Sequence, residues 1–309
     1  SIEFCGDIST NNDGSTPSER NNKVKVIFLD TRWHRQRHCI PSAGSNPYIP
    51  YGALVACLTR WITAGFDPSW CSHNSELLGE EQWLWLEQQL KGSKASMHIV
   101  ISSIQVLTTN PVIESWGHFP KERQRLLKLL NDVPGLVVLS GDVHHAEVST
   151  SEPETDGSKG AIVEVTSSGL THSCDEPFYG PLCKPILDAF PTNRLIGANA
   201  INDKAPSYFT GRNFGSFDVD WDSRTFKVQV HDDTGGVVLS ASFDMDVSAG
   251  MSDEDISNVA NCIDGHLLHY LRKVAPFCSW LVVLCLYFFC IRSRSLQQHR
   301  YATKKPKTA

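Results

Sequence analysis

Gly141-Asp142-Val143-His144-His145 puts a carboxylate and two imidazoles into one short run behind the apolar residues Leu136 to Leu139. The whole run from Leu136 to His145 reads as a buried strand whose end delivers Asp142 and His144. In an extended stretch, residues two apart point the same way, so both side chains face one point while Val143 packs inward. Gly141 would let the backbone turn before them. A carboxylate beside an imidazole suits zinc, iron or manganese, and the carboxylate alone also suits calcium or magnesium. A hydrogen-bonded aspartate with two surface histidines accounts for the same residues, so the motif taken alone leaves both readings open. Asp30-Thr31-Arg32, and Ser102-Ser103 with Gln105, are two further polar clusters at strand ends, where function collects in open α/β sheets.

A sheet is needed to align those ends. Val24 to Leu29, His98 to Ile104 and Leu136 to Leu139 supply β-branched and apolar runs that read as strands. Two helices lie between them. Glu80 to about Lys91 opens on Glu80 and Glu81, which suit the positive end of the helix dipole, and it stops at Gly92. Trp83, Leu86 and Leu90 share one face of it. Lys121 to Leu130 has Pro120 in its first turn and Leu126, Leu127, Leu129 and Leu130 on its buried side. Such alternation makes a layered α/β core. Ala161 to Thr166 is another strand, and Phe214 to Trp221, Phe226 to His231 and Val237 to Asp244 form an antiparallel meander. Residues 1–22 are polar and turn-forming and read as a disordered end. About 39–74 is an insertion with one short helix around Leu54 to Ala64, and 171–213 is a long loop.

The net charge of -6 and pI near 6.0 exclude a nucleic-acid-binding surface, which needs a basic face. Val274 to Ile291 contains no charged residue and lies between Arg272-Lys273 and Arg292. Roughly 18 to 20 such residues cross a hydrocarbon core of about 30 Å, so this segment reads as one membrane span. Residues 251–273 form a helical lead-in and 292–309 a basic tail. The tail's excess of Lys and Arg places it in the cytosol and the main domain in a lumen or outside the cell. A tail-anchored protein with a cytosolic domain is the competing arrangement. Three of the ten cysteines lie in the span, and the rest show no CxxC pair. Cys174 and Cys183 read equally well as a bridge or as two thiols.

Seven blocks in order resemble one family: Val26 to Arg35, Leu78 to Leu90, Ile101 to Leu107, Glu114 to Leu127, Val138 to Val148, Val165 to Ser173 and Asn213 to Trp221. They are similar to the PhoD-like metallophosphatases, the alkaline phosphatase D branch of the calcineurin-like metallophosphoesterases. The resemblance implies a four-layer α/β/β/α sandwich, represented here over residues 23–247 by its C-terminal part. It also implies hydrolysis of phosphate esters by a metal-activated water, at a site of iron, calcium, zinc or manganese ions. Asp142 and His144 match the family's GDxH ligand pair. His145 beside them is expected behind the ligands or facing solvent, or in catalysis. Arg32 matches an Asp-x-Arg that would sit near phosphate, with an Asp30–Arg32 structural pair as the alternative. His118 is a candidate third ligand, and His172 reads as loop structure.

The family's upstream metal motifs have no counterpart in Ser1 to Asn22. Two metals need about three or four protein ligands each, so Asp142 and His144 cannot hold both. The expectation is therefore a membrane-anchored phosphoesterase given as a partial sequence. The alternative is a non-catalytic membrane protein that uses the remaining fold as a binding or regulatory module.

Overall fold

The β-branched runs pair largely as their sequences suggest. The computed structural model describes residues 1–5, 22–37, 55–56, 59–60, 74–151 and 160–260, except 109, 111, 178–179, 190–191, 193, 196 and 203. Lys23–Phe28 (β2), Met97–Ile101 (β3), Leu136–Ser140 (β4) and Val163–Ser167 (β6) form a parallel set, with β2, β3, β4 and β6 side by side. Each is buried on both faces, which is why they read as continuous apolar runs rather than alternating ones. Glu80–Lys91 (α1) returns the chain from β2 to β3, and Pro120–Leu130 (α2) from β3 to β4. Both helices fall where the sequence places them, and β3 ends three residues short of the expected Ile104.

Three strands on this sheet have no counterpart in the sequence reading. Ile2–Cys5 (β1) pairs antiparallel with β2, so the start of the chain is ordered where a disordered end was expected. Ala146–Thr150 (β5) begins directly after His145 and lies antiparallel to β6, which thus sits between β4 and β5. Tyr208–Phe209 (β7) closes that edge. The second sheet is the expected meander, Asn213–Asp220 (β8), Thr225–Asp232 (β9) and Val237–Asp244 (β10).

The two faces of the large sheet carry separate cores. Ile27, Val100 and Val138 pack against Trp83, Leu86, Leu126 and Leu130 of the helices, joined by Ile256 of Asp253–Ala260 (α4). Val26, Ile99, Val137 and Val165 pack against Phe226, Val228, Leu239 and Phe243 of the small sheet. The described residues therefore account for three layers, α/β/β, of the expected four. Within 171–213 the chain forms Gly180–Ala189 (α3), unannounced because Pro181 and Pro185 break the helical pattern; a proline inside a helix removes a backbone donor. Cys174 and Cys183 are bonded, tying that helix to the loop after β6. The expected span, its basic tail and most of the insertion lie outside the described residues. Among the described residues no helix is long and apolar enough to cross a membrane.

Candidate active site at the carboxyl edge of the sheet

Because β2, β3, β4 and β6 are parallel, their carboxyl ends open on one edge. Asp30 to Arg32, Ser102 to Gln105, Gly141 to His145 and Ser168 to His172 all follow those ends. The ladder continues one step beyond the strands, with Leu29 N–H donating to Ile101 O and Ser102 N–H to Leu139 O, both at 2.9 Å. The hydroxyls of Thr31 and Ser103 then meet. Ser102 Oγ donates to Ile104 O at 2.7 Å and accepts from Trp116 Nε1 at 2.9 Å. These contacts fasten the ends of neighbouring strands to one another.

Asp142 and His144 do not sit in an extended strand. Their φ angles are 74° and 59°, the left-handed region, whereas Gly141, expected to supply the turn, is not among the positive-φ residues. Both side chains are exposed and Val143 between them is half-buried. The extended strand expected to present them side by side is thus replaced by a tight bend. A Cβ on Gly141 would lie 3.6 Å from Ser168 Cβ and 3.8 Å from Ser103 O, so it sits between the β3 and β6 ends. Ser168 holds the bend, accepting from His144 N–H at 2.9 Å and donating to His145 O at 3.3 Å. Cys174 N–H donates to His144 O at 2.7 Å, and the His172 ring stacks on His144 with centroids 6.0 Å apart.

The other expected site residues separate. His145 is buried, not solvent-facing, with Nδ1 donating to Val143 O at 3.1 Å and Nε2 without a hydrogen-bond partner. Burial pulls its pKa down, outweighing the carboxylate of Glu147. Arg32 is exposed, and its backbone N–H, together with that of Trp33, is held by Asp30 Oδ1 at 2.8 and 3.0 Å. Those two hydrogen bonds lower the Asp30 pKa. The Asp30–Arg32 pairing is therefore a turn made through backbone, which leaves the guanidinium facing solvent. His118 is buried in the short 3₁₀ turn Trp116–His118.

A metal ion would find two donors here, the Asp142 carboxylate and a His144 ring nitrogen. Among the described residues no group of three His, Cys, Asp or Glu side chains is close enough to hold an ion. Two such donors do not complete a two-metal cluster. Ser168 and His172 went unrecognised as site residues by position, since a loop seryl and a loop histidyl carry no spacing signal. The Val165 to Ser173 block was the available pointer.

The PhoD-like phosphatase family model matches residues 21–230. A solved structure entitled "Structure of PhoD" is similar at 18% identity and a TM-score of 0.41, over 80% of this chain and 48% of that one. The chain thus spans about half the length of that protein. No curated protein matches it.

Proposed function

Since the chain belongs to the PhoD-like phosphatase family, we propose that it hydrolyses phosphate esters with the help of a divalent metal, at the edge where β2, β3, β4 and β6 end. The observation that carries this reading is the Gly141 to His145 bend, seated with Gly141 between Ser103 and Ser168, which leaves Asp142 and His144 exposed. Asp142 and His144 are the metal ligands, His118 is buried in its own turn and does not join them, and Arg32 is free to approach a phosphate through its planar guanidinium. Held by Asp142 and His144, a metal ion would supply hydroxide near neutral pH and stabilise charge on phosphoryl oxygens. The rest is positioning. Ser168 and the Cys174 amide hold the backbone of His144, and the His172 ring backs its imidazole. The neutral, buried His145 anchors the bend from beneath.

The test is release of p-nitrophenol from p-nitrophenyl phosphate with added manganese, zinc, calcium or iron. Asp142→Ala and His144→Ala should each reduce the rate on the order of 10²-fold and lower bound metal in elemental analysis. Wild-type rates and metal content in both variants would sink the assignment. We further propose that residues 274–291 anchor the chain in a membrane with the domain on the non-cytosolic side. The charge-free run with basic flanks and the Cys174–Cys183 bond, a feature of oxidising compartments, support this. Recovery of the chain in the soluble fraction after carbonate extraction would argue against the anchor.

A further inference from the structure

Two of the buried charged residues converge on one short stretch of backbone. Glu164 in β6 and Arg123 in α2 are each 1% exposed. A carboxylate or guanidinium this deep loses its hydration, and a neutral pair of similar volume is often as stable or more so. Stability is therefore a poor explanation for their presence. What they hold is more specific. The Glu164 carboxylate accepts Val106 N–H at 2.7 Å and Leu107 N–H at 2.6 Å, while Arg123 donates to Leu107 O at 2.6 Å. An anion takes the amides and a cation takes the carbonyl of the same short stretch. Charge-assisted hydrogen bonds are about twice as strong as neutral ones, and in the interior neither partner has water as a substitute.

The clamped stretch belongs to the connection that walls the site. Just before it, Ser103 meets Thr31 and places its carbonyl oxygen 3.8 Å from the Cβ position of Gly141. Just before it also, Gln105 accepts Trp116 N–H through its carbonyl at 2.9 Å and donates its amide to Glu147 and Thr166. Beyond it, Trp116 returns to Ser102 through Nε1. Val106 and Leu107 are thus one anchor of the connection after β3, in which Ser103 lies beside Gly141, the residue that leads into Asp142 and His144.

We propose that Glu164 and Arg123 are positioning residues that fix the Val106–Leu107 backbone and so set Ser103 against Gly141 at the site. The claim rests on the phosphoesterase reading for its effect on rate, but not for its effect on backbone. Burial pushes the Glu164 carboxyl up and pulls Arg123 down to about 10, and the backbone amides and the opposite charge work against those shifts. Arg123 stays charged near neutral pH, and the two backbone amides that face Glu164 are the donors a carboxylate accepts.

The experiment compares Glu164→Gln, Arg123→Met and the double variant in the full chain by thermal melting, amide hydrogen exchange and p-nitrophenyl phosphate kinetics with manganese. Each single variant strands one buried charge and should melt lower. The double variant removes both charges and should recover most of the loss. Exchange at Val106 and Leu107 should nonetheless remain about tenfold or more faster than wild type, and kcat/KM should stay reduced on the order of 10–100-fold. A double variant with wild-type melting, exchange and kcat/KM would show that the two charges merely neutralise each other, and would overturn the proposal. If wild type releases no p-nitrophenol, the phosphoesterase reading falls on that control and exchange alone decides positioning. If no variant folds, wild-type exchange decides it: Val106 and Leu107 must be protected as strongly as the centres of β3 and β4, and fast exchange there refutes the clamp.

Discussion

Asp142 and His144 occupy a backbone state that L-residues enter at a cost, with φ at 74° and 59°. Aspartate tolerates it better than histidine, because its short side chain can satisfy local donors. Two such residues in one bend, both exposed, are hard to explain by packing, and strain of this kind gathers at functional sites. The comparison that isolates it is His144→Gly against His144→Ala. Both remove the imidazole, but glycine removes the left-handed penalty as well, so His144→Gly should be more stable than His144→Ala by about 1 kcal/mol in urea denaturation. Equal stabilities would mean that the bend carries no strain at this position.

At the scale of elements, β3 and the loop after β6 make separate demands. His98 on β3 is buried, with Nε2 against Ser93 Oγ at 2.8 Å and Nδ1 against Pro134 O at 3.1 Å. Burial is the main cause pulling its pKa below 6.5; nearby Lys25 lowers it further, and Pro134 and Glu3 oppose the shift. The folded state therefore refuses a proton that the unfolded chain accepts. Stability should be level above about pH 6.5 and fall as pH drops below it towards the lowered folded value. The melting temperature should drop more between pH 7.5 and 5.5 in wild type than in His98→Gln, and parallel curves would count against His98. In the loop after β6, the Cys174–Cys183 bond ties α3 into a cluster that, among the described residues, comprises Cys183, Leu187 and Tyr208 with partly buried Ile113 and Cys174. Cys183→Ser should cost about 2.5 kcal/mol on the loop-closure scale and should open residues 171–190 to limited proteolysis. Unchanged cleavage would show that packing alone suffices.

Across the whole molecule, the small sheet covers only part of the large one. Ile2 and Phe4 of β1 lie in register with Val26 and Val24, and Phe28 is two residues beyond Val26, so all three share the face that the small sheet packs on. Val24 and Val26 are 9% and 8% exposed, while Ile2, Phe4 and Phe28 are 50%, 56% and 53% exposed. Beside them, β1 is the terminal strand of its sheet among the described residues. An apolar face next to an open strand edge favours edge-to-edge association. The chain should self-associate with rising concentration in sedimentation velocity, and Phe4→Lys with Phe28→Lys should return it to monomer. A wild-type chain that stays monomeric at high concentration would contradict this.

The sequence by itself determined the main strands of the layered core, both crossover helices and the meander, and it put Asp142 and His144 in one motif. Each is written in short-range terms: apolar runs, helical faces with a glycine stop, alternation, and two donors in one motif. Tertiary structure decided the rest. β1 and β5 are strands because a neighbour offers a ladder, and Glu3 or Glu147 in isolation argues for nothing of the kind. The left-handed bend at Asp142 and His144 depends on Ser168 and Cys174, which lie far along the chain, and the burial of His145 depends on the β5 packing that follows it. The Glu164–Arg123 clamp was illegible for the same reason. In sequence a glutamate in a strand and an arginine in a helix look solvated, and only their burial around Val106 and Leu107 turns them into parts of one device.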